Sequence, residues 1–208
     1  MFEQTLVFFQ QSPASFQFFI VILSLIIGSF LNVVIYRLPK MMHNNWYLEC
    51  REFLADEVKN IPAKTVTELT LSKPASTCPK CQHKIRFYEN IPVISWLFLR
   101  GKCSQCKSSI SIRYPLVETI TALLSLVIAN QYGVSIETLL LLILTWGLVC
   151  LTLIDFDHML LPDQIVMPLL WLGLLVNVNG TFIPLNDAVI GAAVGYMSLF
   201  SVFWLFKL

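Results

Sequence analysis

The sequence predicts an all-α polytopic membrane protein of about five transmembrane helices, with a small cytoplasmic zinc-binding lobe. Three observations carry that prediction. Of 208 residues, 56% are hydrophobic and only 13% charged, a balance no water-soluble globule shows. The apolar residues gather in five long runs that do not alternate, which selects helices over barrel strands of ~10 alternating residues. Four of the six cysteines fall into two spaced pairs inside the one polar, basic stretch. The 8 glycines and 10 prolines among abundant Leu, Ile, Val and Phe exclude collagen-like, mucin-like and disordered classes. A net charge of +1 from 14 Lys and Arg offers no broad cationic face for phosphates, so the expected surrounding is a lipid bilayer and nucleic acid is not an expected partner.

The first predicted span is Phe16 to Tyr36, and its apolar run is not preceded by the basic segment of a cleaved signal, so it reads as a retained anchor. Four further spans are predicted: Leu116 to Ala129, Thr138 to Ile154, Ile165 to Val178, and Ala188 to Phe206. The second and fourth are short against the roughly 20 residues a helix needs to cross hydrocarbon, which leaves tilt, extension or a re-entrant path open for them. These runs divide the chain into an N-terminal helix over 1–40, a cytoplasmic loop over 41–114, and a second membrane region over 115–208.

Orientation follows from the charges. Thirteen of the 14 basic residues lie between Arg37 and Arg113 with six acidic ones, leaving that segment at +7. Arg37, Lys40, Lys107 and Arg113 flank the spans, where basic residues are retained on the cytoplasmic side. Five spans then put the N-terminus outside and Lys207 inside. The turns near Asn130 to Ser135 and Asn179 to Asn186 carry no Lys or Arg and fall outside, as the rule requires.

Cytoplasmic thiols stay reduced, so the cysteines of the loop read as ligands and not as a disulfide framework. Cys78-Pro-Lys-Cys81 and Cys103-Ser-Gln-Cys106 are separated by 21 residues, close to the two-knuckle spacing of zinc ribbons, in which each pair supplies two thiolates of a tetrahedron. A redox-active thiol pair, or four unrelated cysteines, is the alternative. A closed zinc site would fold a loop too small and too polar to build a core. His83 stands close enough to Cys81 to replace a ligand, and the lone Cys50 and Cys150 read as packing residues. Between Trp46 and Val58, apolar residues recur near helical spacing with charges between them, which predicts an amphipathic helix for the inner leaflet, a partner, or the zinc lobe. Neither a Gly-rich phosphate loop nor a G-x-S-x-G elbow is present, which removes P-loop enzymes and serine hydrolases.

The residues suited to catalysis cluster after the third span, in Asp155-Phe156-Asp157-His158-Met159-Leu160-Leu161-Pro162-Asp163. An aspartate at a helix C-terminus opposes the helix dipole, so Asp155 is not explained by capping, and a carboxylate kept at a membrane boundary points to function. Asp163 follows Pro162 and precedes an apolar run, the position of an N-cap for the fourth helix. Asp157 reads as a solvated interfacial carboxylate. Glu118, inside the second span, reads as a partner of Arg113 or a capping residue, or else as a functional group.

Several motifs occur together and in order: Gly28-Ser29-Phe30-Leu31-Asn32 through Arg37-Leu38-Pro39, the two Cys pairs joined through Glu89-Asn90-Ile91-Pro92 and Arg100-Gly101-Lys102, and Ser111-Ile112-Arg113-Tyr114-Pro115-Leu116-Val117-Glu118. In this combination the chain resembles the type IV prepilin peptidases over almost its whole length. The resemblance implies a bacterial inner-membrane aspartic protease that removes the basic leader from prepilins and type II secretion pseudopilins on the cytoplasmic side. It also implies N-methylation of the new terminus from S-adenosylmethionine, for which the sequence shows no recognisable motif. It assigns Cys78, Cys81, Cys103 and Cys106 to a structural zinc lobe and Asp155 to the first catalytic carboxylate. The family's second aspartate lies in a Gly-x-Gly-Asp motif, which residues 1–208 lack, so the chain is expected to be C-terminally incomplete and inactive by itself. Asp157 is two residues from Asp155 and points away from it on a helix, and Asp187 is expected on the outer side. Asp163 is geometrically open without support from the family pattern. A methyltransferase-only remnant, or a zinc-lobe adaptor in pilus or secretion assembly, is the alternative.

Overall fold

The computed structural model describes residues 2–54 and 69–207, and within them the protein is helical. Each of the five apolar runs forms a helix. Three of these helices are long and apolar enough to cross a membrane: α2 (Pro13–Phe53), α5 (Ile136–His158) and α7 (Leu185–Lys207). The other two runs give α4 (Arg113–Tyr132) and the short α6 (Asp163–Asn177). A helix α1 (Phe2–Gln11) precedes α2, and a five-residue α3 (Ile94–Phe98) lies in the loop before α4. The chain divides into two compact units, residues 1–160 and 161–208.

In the first unit, α2 begins with proline at its first position, where no N–H is required. It continues unbroken through Pro39 for 41 residues, about 62 Å at 1.5 Å per residue and twice the thickness of a hydrocarbon core. The predicted amphipathic helix from Trp46 is therefore no separate element: Trp46 to Phe53 is the last part of α2, and residues 55–58 lie outside the described residues. Cys50 is exposed there and does not serve packing, whereas Cys150 of α5 is buried as expected.

Helices α2, α4 and α5 pack together, α2 and α4 through small residues. Gly28 of α2 lies against Glu118 and Thr121 of α4, and a Cβ added to it would lie 2.8 Å from the Cα of Glu118; Ser24 of α2 and Ser125 of α4 are buried as well. Where lipid is as apolar as the side chains, close backbone approach of this kind is what holds helices together. The hydroxyls of Thr121 and Ser125 donate to carbonyls one turn back, and the Trp146 indole of α5 donates to the Ser125 hydroxyl at 3.0 Å. Toward the other end, Phe16, Ile20, Ala129 and Leu142 form an apolar cluster, next to which Gln17 donates to Asn130 at 2.6 Å. Helix α4 stops at Gly133, whose φ of 59° suits glycine. Helix α5 starts on Ser135, whose hydroxyl accepts from the Thr138 N–H. It stops at Met159 in the left-handed conformation (φ 51°), with the Met159 N–H closing on the Asp155 carbonyl.

In the second unit, α6 begins at Asp163 with Pro162 as the flanking residue and no side-chain cap bond, so Asp163 is not the predicted N-cap. It occupies the first turn, where a carboxylate complements the helix dipole. The turn into α7 is organised by Asn177, whose side-chain oxygen accepts from the N–H groups of Phe182 and Ile183.

Candidate functional site

The two cysteine pairs fold as near-copies of one knuckle. In the first, the Cys78 N–H donates to the His83 carbonyl and the Gln82 N–H to the Cys78 carbonyl; in the second, Cys103 donates to Ser108 and Lys107 to Cys103. Each knuckle is flanked by an antiparallel bridge, Thr77 with Lys84 and Lys102 with Ser109. Gln82 and Lys107 stand directly after the second cysteine of each pair and share a φ of 58°, the left-handed turn that brings both thiols of a pair onto one side.

This fold gathers Cys78, Cys81, Cys103 and Cys106, with all four sulfurs within 4.8 Å of one another. Cys78 and Cys106 stand 3.8 Å apart and Cys81 and Cys103 3.9 Å. A tetrahedron with metal–sulfur bonds of about 2.3 Å has edges of about 3.8 Å, so the set fits a four-thiolate metal site with no open position. The electrostatics agree. Backbone N–H groups of Cys81 and Lys80 draw the Cys78 thiol down to about 6, and the Ser108 hydroxyl and N–H lower Cys106. The His83 N–H favours a thiolate at Cys81 too, but burial and the three neighbouring sulfurs push it up to about 11. Holding all four as thiolates would take a bound cation. His83 does not join the set; it pairs with Glu89 at 3.2 Å. Ser108 escaped the sequence reading, although superposing the two Cys-x-x-Cys halves puts it opposite His83.

Asp155 lies in the last turn of α5, exposed, and its carboxylate has no hydrogen-bond partner among the described residues. Asp157 differs from its expectation as a freely solvated group. Arg113, at the start of α4, donates to both of its oxygens, at 2.9 and 2.5 Å. The exchange of partners also settles Glu118. It does not bind Arg113; buried against Gly28, it accepts the Val93 N–H at 2.7 Å and so ties the cysteine lobe to the helices. Asp187 sits in the first turn of α7.

In the sequence Arg37 stands as an orientation signal and as part of the Arg37-Leu38-Pro39 motif. Its guanidinium is buried and donates to the carbonyls of Thr70 and Leu71 through Nη1 and of Pro74 through Nη2, fixing the strand of chain that leads to Cys78. No sequence pattern announces that role, because backbone carbonyls are the acceptors.

Comparison with known proteins identifies the family. The profile of the bacterial peptidase A24 N-terminal domain matches residues 22–132, and that of the type IV leader peptidase family matches residues 142–208. A prepilin leader peptidase/N-methyltransferase of Pseudomonas putida is 54% identical over 201 residues, 97% of this chain and 68% of that protein. Proteins of the same name from Pseudomonas aeruginosa and Neisseria gonorrhoeae are 54% and 49% identical, over 94% and 90% of this chain and 66% and 64% of theirs. No solved structure matches. Two consecutive profile matches and half-identity across nearly the whole chain establish that this protein belongs to the type IV leader peptidase family, peptidase A24.

Proposed function

We propose that the protein acts in removing the short basic leader from type IV prepilins and type II secretion pseudopilins, at the cytoplasmic face of the bacterial inner membrane, and in N-methylating the new terminus from S-adenosylmethionine. The observation that carries this reading is the likeness, across nearly the whole chain, to relatives that bear both activities in their name. No residue of this chain is assigned to the methyl donor.

The topology in this reading has five spans, the N-terminus outside and the loop over 41–114 cytoplasmic, between membrane regions over 1–40 and 115–208. The basic residues of that loop support it. Asp155 supplies one carboxylate of an aspartic dyad. In such a dyad one carboxylate takes a proton from water while the other protonates the scissile carbonyl and then the leaving amine, without a covalent intermediate. Exposure of Asp155 at the end of α5 supports the role, since the leader must reach it. Asp157 is held by Arg113 and is no partner for it. Because residues 1–208 contain no Gly-x-Gly-Asp motif, we propose that this stretch by itself does not cleave. Zinc is the metal proposed for Cys78, Cys81, Cys103 and Cys106, where it would fold the lobe and take no part in hydrolysis.

The test places the 208-residue chain in membranes with a prepilin and S-adenosylmethionine and reads product masses, in parallel with the chain extended by the region of the P. putida relative that follows the match. Cleavage by the extended chain only, lost with Asp155→Asn, is the expected result. Cleavage by residues 1–208 would overturn the missing-carboxylate part of the proposal, and no cleavage by either would favour the adaptor reading.

A further inference from the structure

Helix α3 carries an apolar surface that no described residue covers. Ile94, Leu97 and Phe98 are 49%, 62% and 84% exposed. The opposite side is engaged: the Trp96 indole donates to the Ile110 carbonyl at 3.3 Å, and its ring lies so close to Gly101 that a Cβ there would fall 2.8 Å from it. The start of α3 is fastened to the bundle. Val93 adopts a φ of 56° in a tight turn that closes the Ile94 N–H on the Pro92 carbonyl, and this turn directs the Val93 N–H to Glu118. A β-branched residue takes that conformation only where its surroundings impose it.

The fastening sets a depth. Arg113 and Asp157 form a partly exposed ion pair, which belongs at the headgroups, and Glu118 lies five residues further along α4, about 7 Å by helical rise. Glu118 also packs on Gly28, inside the apolar run of α2. With α2 across a bilayer, this fastening would hold the exposed face of α3 near the level of the lipid-facing sides of α2 and α4, and the exposed Arg100 and Lys102 follow it directly.

We propose that α3 is an interfacial anchor: Ile94, Leu97 and Phe98 enter the boundary between headgroups and acyl chains, while Arg100 and Lys102 meet anionic lipid phosphates. The anchor holds the cysteine lobe flat on the membrane beside the end of α5. It depends on the reading that α2 crosses the bilayer, so the test includes a position that reports on that reading separately.

A solvatochromic amino acid is placed singly at Phe98, at Lys107 and at Ile26, an exposed position in the apolar part of α2. The full chain, with its zinc content verified, is reconstituted in phosphatidylethanolamine and phosphatidylglycerol nanodiscs with or without lipid brominated near the headgroup end of the chains. Quenching at Phe98 of about twofold or more, with little at Lys107, is expected for side chains buried several ångströms into the boundary. Equal, weak quenching at 98 and 107 while 26 is quenched overturns the anchor and leaves α2 in the membrane. Failure at 26 as well overturns both. Replacing Leu97 by Asp should return the probe at 98 toward the emission seen at 107 without loss of zinc; unchanged emission would also count against the anchor.

Discussion

Gly28→Ala isolates the contact on which the bundle depends. The added methyl would sit 2.8 Å from the Cα of Glu118 and 3.3 Å from the Cβ of Thr121. Carbon atoms pack best at about 3.5–4.0 Å, so the two helices must separate by the order of 1 Å. The nearest obstacle is backbone, which cannot rotate aside. Two effects oppose each other. Alanine favours a helix over glycine by about 1 kcal/mol, but that gain is small where helices persist in the unfolded reference state, as they do in a bilayer. Overpacking costs about 1–3 kcal/mol. The clash therefore wins, and a separating Glu118 strains its bond to Val93. Unfolding in mixed micelles, followed by α-helix-independent probes such as proteolysis of the loop, should show a stability loss of about 1–3 kcal/mol, larger for Gly28→Val. Gly191→Ala is the control, because its methyl would meet nothing within 4 Å. A Gly28→Ala midpoint equal to or above that of the parent would refute the reasoning.

Other outcomes follow from the lobe. Cys78→Ser combined with Cys103→Ser should abolish metal retention measured by mass spectrometry and expose the loop to protease, whereas Cys50→Ser, at an exposed site away from the four sulfurs, should change neither. Glu89 is held below its ordinary range by the Arg86 N–H and by Ser104 and His83, so its contribution to stability is complete above about pH 4.3 and is lost as pH falls through its lowered value. Glu89→Gln should accordingly flatten the loss of lobe stability on acidification, read by thermal melting across that window; an unchanged acid limb would exclude the contribution. Arg37→Lys cannot reproduce a fork shared among three carbonyls, and should cost about 1–3 kcal/mol and speed cleavage near Thr70 to Pro74.

The parts legible in the sequence share one property: their signal is local. Apolar runs announce helices because each must bury its backbone bonds within itself, and all five formed. Cys-x-x-Cys announces a knuckle because two thiols at that spacing fit one turn. Length was less legible. Periodicity from Trp46 suggests a new helix, yet a proline at position 39 leaves α2 intact, so Trp46 to Phe53 simply extends it.

By itself, then, the sequence determined the membrane class, the helical segments, the two knuckles and the position of Asp155 at the end of α5, because composition and short spacings fix each of these within a few turns of chain. Tertiary structure alone decided who pairs with whom. Arg113 takes Asp157 and not Glu118, although Asp157 is 44 residues away, because the antiparallel course of α4 and α5 brings their ends level. Glu118, left without that partner and pressed against Gly28, turns to the Val93 N–H. Arg37 spends its charge on three carbonyls. These choices depend on which backbones lie close enough to satisfy a buried polar group, and that proximity exists only once the helices have packed.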